Sequence, residues 1–177
     1  MNYERSAGGI LAPDNRLVVG GRFTVEHVRA GEKIDEFVVD NLVTNEGLNH
    51  ILDTVFHGSA PVGTWYLGIF EGNYTPVPSV NAGGIVAAST ECTAYDEGTR
   101  PEYAEAAASG QSISNAANKA AFTMNASKTI YGAFLISSGA KGSTSGVLMA
   151  AARFSAPKNV VDDDQLLLTY TFAAASA

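Results

Sequence analysis

The stretch "NLVTNEGLNHILDTVFHG", Asn41 to Gly58, places His50, Asp53 and His57 at spacings of three and four. On a helix these three share one face, and histidines beside a carboxylate are the residue types of a metal centre or an acid/base pair. The spacing of seven between the two histidines opposes that reading. It puts the rings roughly 10 Å apart along the helix axis, whereas ligands of one zinc lie about 2 Å from the metal. The face therefore reads as solvated, with Asp53 pairing with either histidine for about 0.3 kcal/mol.

Other residues with chemical potential also read as structural. Cys92 follows Glu91 in "STECTAYDEG", and an adjacent carboxylate raises a thiol's pKa, so a half-buried strand cysteine is expected rather than a nucleophile. "SGAKGSTSG" holds Lys141 among glycines and hydroxyls, but not in the order of a phosphate loop, and reads as a hairpin turn. "VVDDDQ" groups Asp162, Asp163 and Asp164 without the spaced oxygen ligands of a calcium loop, and reads as a solvated turn. His27 stands in a strand-like run between Glu26 and Val28 and is given no catalytic role. No nucleophile, base and orienting group can be assembled from these spacings. The expectation is a protein that is not an enzyme, with no catalytic residue, no metal and no cofactor.

The elements that would carry these residues follow from hydrophobic period. "RLVVGGRFTVEHVR" and "KIDEFVVDNLVT", joined by "AGEK", form a hairpin signal, with Phe23 and Val25 alternating against Arg22, Thr24 and Glu26. In the helix, Leu48, Ile51, Leu52, Val55 and Phe56 span a sector of about 140° that is expected to face the core. Asn49, His50, Asp53, Thr54 and His57 take the other side, Asn45 is the expected N-cap, and Gly58 the stop. The helix should cover or plug a sheet. In "TWYLGIFE", Trp65, Leu67 and Ile69 point one way and Tyr66 and Phe70 the other, so this strand should be central, apolar on both faces.

"GNYTPVPSVNAGG" reads as a loop, and "EGTRPEYAEAAASGQSISNAAN" as a loop region holding a short strand or helical turn. Four strands follow at short intervals: "KAAFTMN", "TIYGAFLISS", "GVLMAAARF" and "QLLLTYTFAA". The pattern predicts an all-β fold, an antiparallel β sandwich of jelly-roll type with one α-helix packed on it. Residues 16–177 form the single domain. Residues 1–15, "MNYERSAGGILAPDN", read as an N-terminal arm whose apolar residues Tyr3, Ile10 and Leu11 are candidates for contact with a neighbouring subunit.

The chain has 177 residues, 46% of them hydrophobic and 16% charged, with a net charge of −7. That composition suits a packed fold and disfavours nucleic acid, whose phosphates an acidic protein repels. One cysteine gives no intrachain disulfide. The N-terminus lacks the basic region and apolar run of a signal peptide, and no stretch approaches a membrane span, so a soluble protein without membrane partners is expected. Charge is uneven: residues 1–105 hold fifteen acids and six bases, residues 106–177 three acids and five bases. Chance accounts for this, or else a largely neutral surface that meets copies of itself or another subunit through contacts tolerant of salt.

Taken in order, "DNLVTNEGLNHILDTVFHG", "TWYLGIFEGNYTPVP", "ECTAYDEGTRPEYAEA", "NKAAFTMNASKTIYGAFLISS" and "GVLMAAARFSAPKNVVDDDQLLLTYTF" resemble a group of small virion structural proteins of tailed bacteriophages, the likeness running from about Asn41 to Phe172. Among these, capsid decoration or cement proteins are the most similar kind. The resemblance implies a homo-oligomer, dimer or trimer, made in the bacterial host cytoplasm. It would sit on the outer capsid surface, bind the major capsid protein between capsomers and stabilise the shell. A tail or tail-fibre-associated component, or a glycan-binding β module, is the alternative.

Overall fold

The computed structural model describes residues 5–6, 9–10 and 17–176. Two short strands, β1 (Arg5–Ser6) and β2 (Gly9–Ile10), pair antiparallel. Tyr3 and Leu11, two of the three expected contact residues of the arm, lie outside the described residues, as does the side chain of Ile10.

From β3 (Leu17–Arg29) onward the chain builds two antiparallel sheets that share a core. The first pairing is the predicted hairpin with β4 (Glu32–Asp40), turning at Ala30 and Gly31, both at positive φ. A two-residue turn with both central residues left-handed matches the twist of the strands it joins. Then come β5 (Leu42–Val43), α1 (Asn45–Phe56), β6 (Tyr66–Phe70), α2 (Ala82–Ser89) and β7 (Glu91–Cys92). The chain ends with β8 (Ser112–Ser114), β9 (Ala120–Thr123), β10 (Lys128–Ile136), β11 (Leu148–Val160) and β12 (Gln165–Ser176). One sheet has the order β5-β11-β10-β6-β7; the other runs β4-β3-β12-β8, with β9 pairing further along β12.

The inner faces meet as strand alternation requires. Phe23 and Val25 of β3, Phe122 of β9, and Leu166, Leu168 and Tyr170 of β12 pack against Leu67 and Ile69 of β6, Leu135 of β10 and Phe154 of β11. The expectation for "TWYLGIFE" holds. Leu67 and Ile69 enter this core, while Phe70 turns to the opposite face and joins a second cluster with Phe134, Ile136 and Ala151 beneath Ile85 of α2. Phe70 stands opposite Gly132 and Phe134 opposite Gly68 across the β6–β10 pairing. A Cβ on Gly132 would lie 2.0 Å from Phe70 Cζ, and one on Gly68 2.2 Å from Phe134 Cζ. Each ring thus occupies the space its opposite residue leaves by lacking a side chain.

The second helix departs from expectation, since α2 begins inside "GNYTPVPSVNAGG", which reads as a loop. Its Gly83 and Gly84 carry low intrinsic helix propensity. Capping and burial override it: Asn81 Oδ1 accepts from Gly84 N at 2.8 Å, and Ala82 and Ile85 are buried on the outer face of the sheet. The region ending in "NAAN" does contain a short strand, β8.

Candidate functional site

Helix α1 forms where its period predicts, but rotated about its axis relative to the expected placement. Its cap is Thr44 and not Asn45: Thr44 Oγ1 accepts from Gly47 N and donates to Leu148 O, while Thr44 N donates to Met149 O. Glu46 Oε2 accepts from Leu148 N at 2.7 Å and Ala82 N at 2.9 Å. These bonds tie the first turn to β11 and α2 and so set the roll of the whole helix. Gly47 then faces β11 so closely that a Cβ would lie 2.6 Å from Met149 O. The residues behind it on that side, His50, Ile51 and Thr54, are half-buried.

The expected core stripe is therefore mostly outside. Of its five members only Ile51 packs on the core. Leu48 is 36% exposed, Leu52 54%, Val55 64% and Phe56 81%. At 100° per residue these four fall within a sector of about 100°, shared only with Asn45 and free of charge. The predicted solvated face holds at Asn49, Asp53 and His57, which are exposed, and is corrected at His50 and Thr54, which are half-buried. His50 lies edge-on to Trp65, with ring centroids 5.5 Å apart, and its Nε2 is 3.5 Å from Thr54 Oγ1. His57 is exposed at the helix end, followed by Gly58 at positive φ. The structure does not bring His50, Asp53 and His57 together into a site. Among the described residues no group of three or more His, Cys, Asp or Glu is placed to hold a metal ion.

A prediction follows for these two histidines. His57→Gln leaves stability within about 0.5 kcal/mol of wild type, whereas His50→Ala, which empties the space beside Trp65, lowers stability by about 1 kcal/mol. Thermal denaturation of the two single variants separates them.

Beside α1 an apolar pocket of about 190 Å³ opens between the sheets, lined by Ile51, Trp65, Tyr103, Leu135, Met149 and Phe172 among others. Ile51 is the i+3 neighbour of Leu48 and the i−4 neighbour of Val55, so the exposed stripe continues into this pocket. The hydroxyl of Tyr103, a wall residue, is buried with no hydrogen-bond partner among the described residues. Burial, with Glu105 adding to it, pushes that phenol above its ordinary range, so it stays protonated.

The buried charged groups are paired within the fold. Asp164 is buried, correcting the solvated reading of "VVDDDQ", of whose three aspartates only Asp162 and Asp163 are exposed. Its carboxylate accepts from Arg29 Nε and Nη2 and from Val161 N, and lies 2.8 Å from His27 Nε2. Glu91 is paired with Arg100 in the interior. Lys141, from the predicted turn between β10 and β11, donates to Tyr95 O at 2.6 Å and sits 3.8 Å from the centre of its ring. Cys92 is fully buried in β7, and its thiol is pushed up chiefly by burial, with Glu71 and Glu91 as smaller causes. The pairing of Asp164 with His27 and Arg29 was not recognisable in sequence because these partners lie 137 and 135 residues away. The roll of α1 left one local signal, Gly47 inside an otherwise well-formed helix, preceded by Thr44 and Glu46.

Fold and site together define an antiparallel β sandwich that carries an uncovered apolar helix face. Comparison of the chain with protein-family models gives no match, and comparison with curated proteins gives none either. No helix among the described residues is long and apolar enough to cross a membrane.

Proposed function

We propose that this chain is a structural component of a tailed-bacteriophage virion, a capsid decoration protein that binds the outer shell between capsomers and stabilises it. The resemblance of the segments from Asn41 to Phe172 motivates the assignment. The observation that carries it is the uncharged apolar stripe of Leu48, Leu52, Val55 and Phe56, held outward by a hydrogen-bonded first turn on a rigid sandwich. A stripe of this kind is an assembly surface, because burying its side chains is favourable and the fold itself does not bury them. Contacts made through it are insensitive to salt, which suits a particle that passes between media of different ionic strength.

Such a protein stabilises a shell by binding the assembled lattice better than free subunits, as any ligand of a native state does. Purified protein added to expanded heads that lack it is expected to attach at regular lattice positions and to raise the temperature of genome release. Free coat subunits should bind little of it, since the site forms only where several of them meet. Attachment to the tail, or heads equally heat-resistant with and without the protein, contradicts the assignment.

A further inference from the structure

The stripe on α1 has one property that points to its occupant: it is apolar along its length and free of charge across its width. Each copy carries a net charge of −7, so two copies repel unless they meet where neither presents an acid. Of the acids on α1, Glu46 is turned inward onto Leu148 N and Ala82 N, and Asp53 lies on the flank, about 60° beyond Phe56. The sector between Val55 and Phe56 contains none.

We propose that two copies associate through α1 about a two-fold axis near Leu52, with the helices antiparallel. In that arrangement Leu52 meets Leu52, and Leu48 of each copy meets Phe56 of the other, so the same patch serves both sides as an isologous contact demands. Antiparallel helices also place opposite dipole ends side by side. The exposures of Leu48, Leu52, Val55 and Phe56 correspond to roughly 500 Å² of apolar surface per copy, at the upper end of what monomers leave uncovered. Paired, two such faces remove about 1,000 Å², which reaches the lower bound of a specific interface and falls short of an obligate one. The dimer is therefore expected to be reversible and to depend on protein concentration.

This inference rests on the same reading of the α1 face as an assembly surface that carries the virion assignment, and it names a second copy as the occupant of that face. Sedimentation velocity of the full chain over a dilution series tests it. Wild type is expected to pass from dimer to monomer on dilution. Phe56→Asp and Leu52→Asp, both at exposed positions and so compatible with folding, should raise the dissociation constant about thirty-fold or more, with unchanged circular dichroism and melting. Leu52→Cys should form a disulfide-linked dimer on oxidation. Asp162→Cys, on the turn between β11 and β12, should not, and the native Cys92 is buried. A wild-type chain that stays monomeric at every concentration, a Phe56→Asp variant that dimerises as well as wild type, or a trimer in place of the dimer overturns the proposal. If the dimer forms but does not bind heads, the virion assignment fails alone. If monomers bind heads through Phe56, the two-fold contact fails alone and the occupant of the face is a shell subunit.

Discussion

Replacing Arg100 by Met is expected to lower stability by about 3–5 kcal/mol, the range for breaking a buried ion pair by removing one partner. Arg100 is fully buried. Its Nε and Nη2 donate to the two carboxylate oxygens of Glu91 at 2.7 Å each, Nη1 donates to Ser138 O at 2.7 Å, and Nη2 also donates to Ser143 O at 3.0 Å. Its guanidinium carbon stands 5.4 Å from the centre of the Phe134 ring. Methionine fills much of the volume and none of the donor positions, so the buried Glu91 loses its counter-charge and keeps only the Gly142 N–H among these partners. The Ser138 and Ser143 carbonyls lose a donor as well. Denaturant unfolding of Arg100→Met, Glu91→Gln and the double variant measures the coupling. The double variant should be more stable than Arg100→Met alone, because neutralising Glu91 removes the unpaired charge. An Arg100→Met variant within about 1 kcal/mol of wild type contradicts this description of the pair.

Asp164→Asn has the second largest expected effect and a pH signature. Removing the charge leaves the half-exposed Arg29 partly solvated, so the loss at neutral pH falls at the low end of the same range, about 3 kcal/mol. Hydrogen bonds from Arg29 hold the Asp164 carboxyl well below the usual carboxylate range; the Val161 N–H and His27 lower it further against the opposing effect of burial. Because an ionised carboxylate only accepts, His27 Nε2 is the donor in that contact. A carboxyl whose folded pKa lies below its unfolded value, about 3.9 for Asp, contributes stability that is fully present above that value. The contribution is lost as pH falls from there toward the folded pKa. Wild type should therefore lose stability more steeply than Asp164→Asn on acidification below about pH 5, and the two denaturation midpoints should converge. Parallel pH profiles contradict the assignment of this contribution to Asp164.

Features set by local pattern could be read in the sequence, and features set by distant partners could not. Alternation at Phe23 and Val25 marks β3 because every second residue must enter the core. Apolar residues on both faces of "TWYLGIFE" mark β6 because α2 covers the sheet from outside. The existence of α1 follows from its period, but its roll does not. The bonds that set the roll join Thr44 and Glu46 to Leu148, more than a hundred residues later. An apolar stripe has the same appearance whether it enters its own core or meets another subunit, so Leu48, Leu52, Val55 and Phe56 read as core residues. Helix α2 was hidden by two glycines whose cost is offset by the burial of Ile85. Asp164 looked solvated because its partners His27 and Arg29 lie 137 and 135 residues away in the chain.

The placement of the protein on the virion is tested most directly by a cryo-electron microscopy reconstruction of the particle that carries this chain. The expected result is density fitting the β sandwich on the outer surface of the shell, at regular positions between capsomers, with the α1 face covered. Density for the sandwich on the tail, or a shell surface without it, contradicts the decoration assignment.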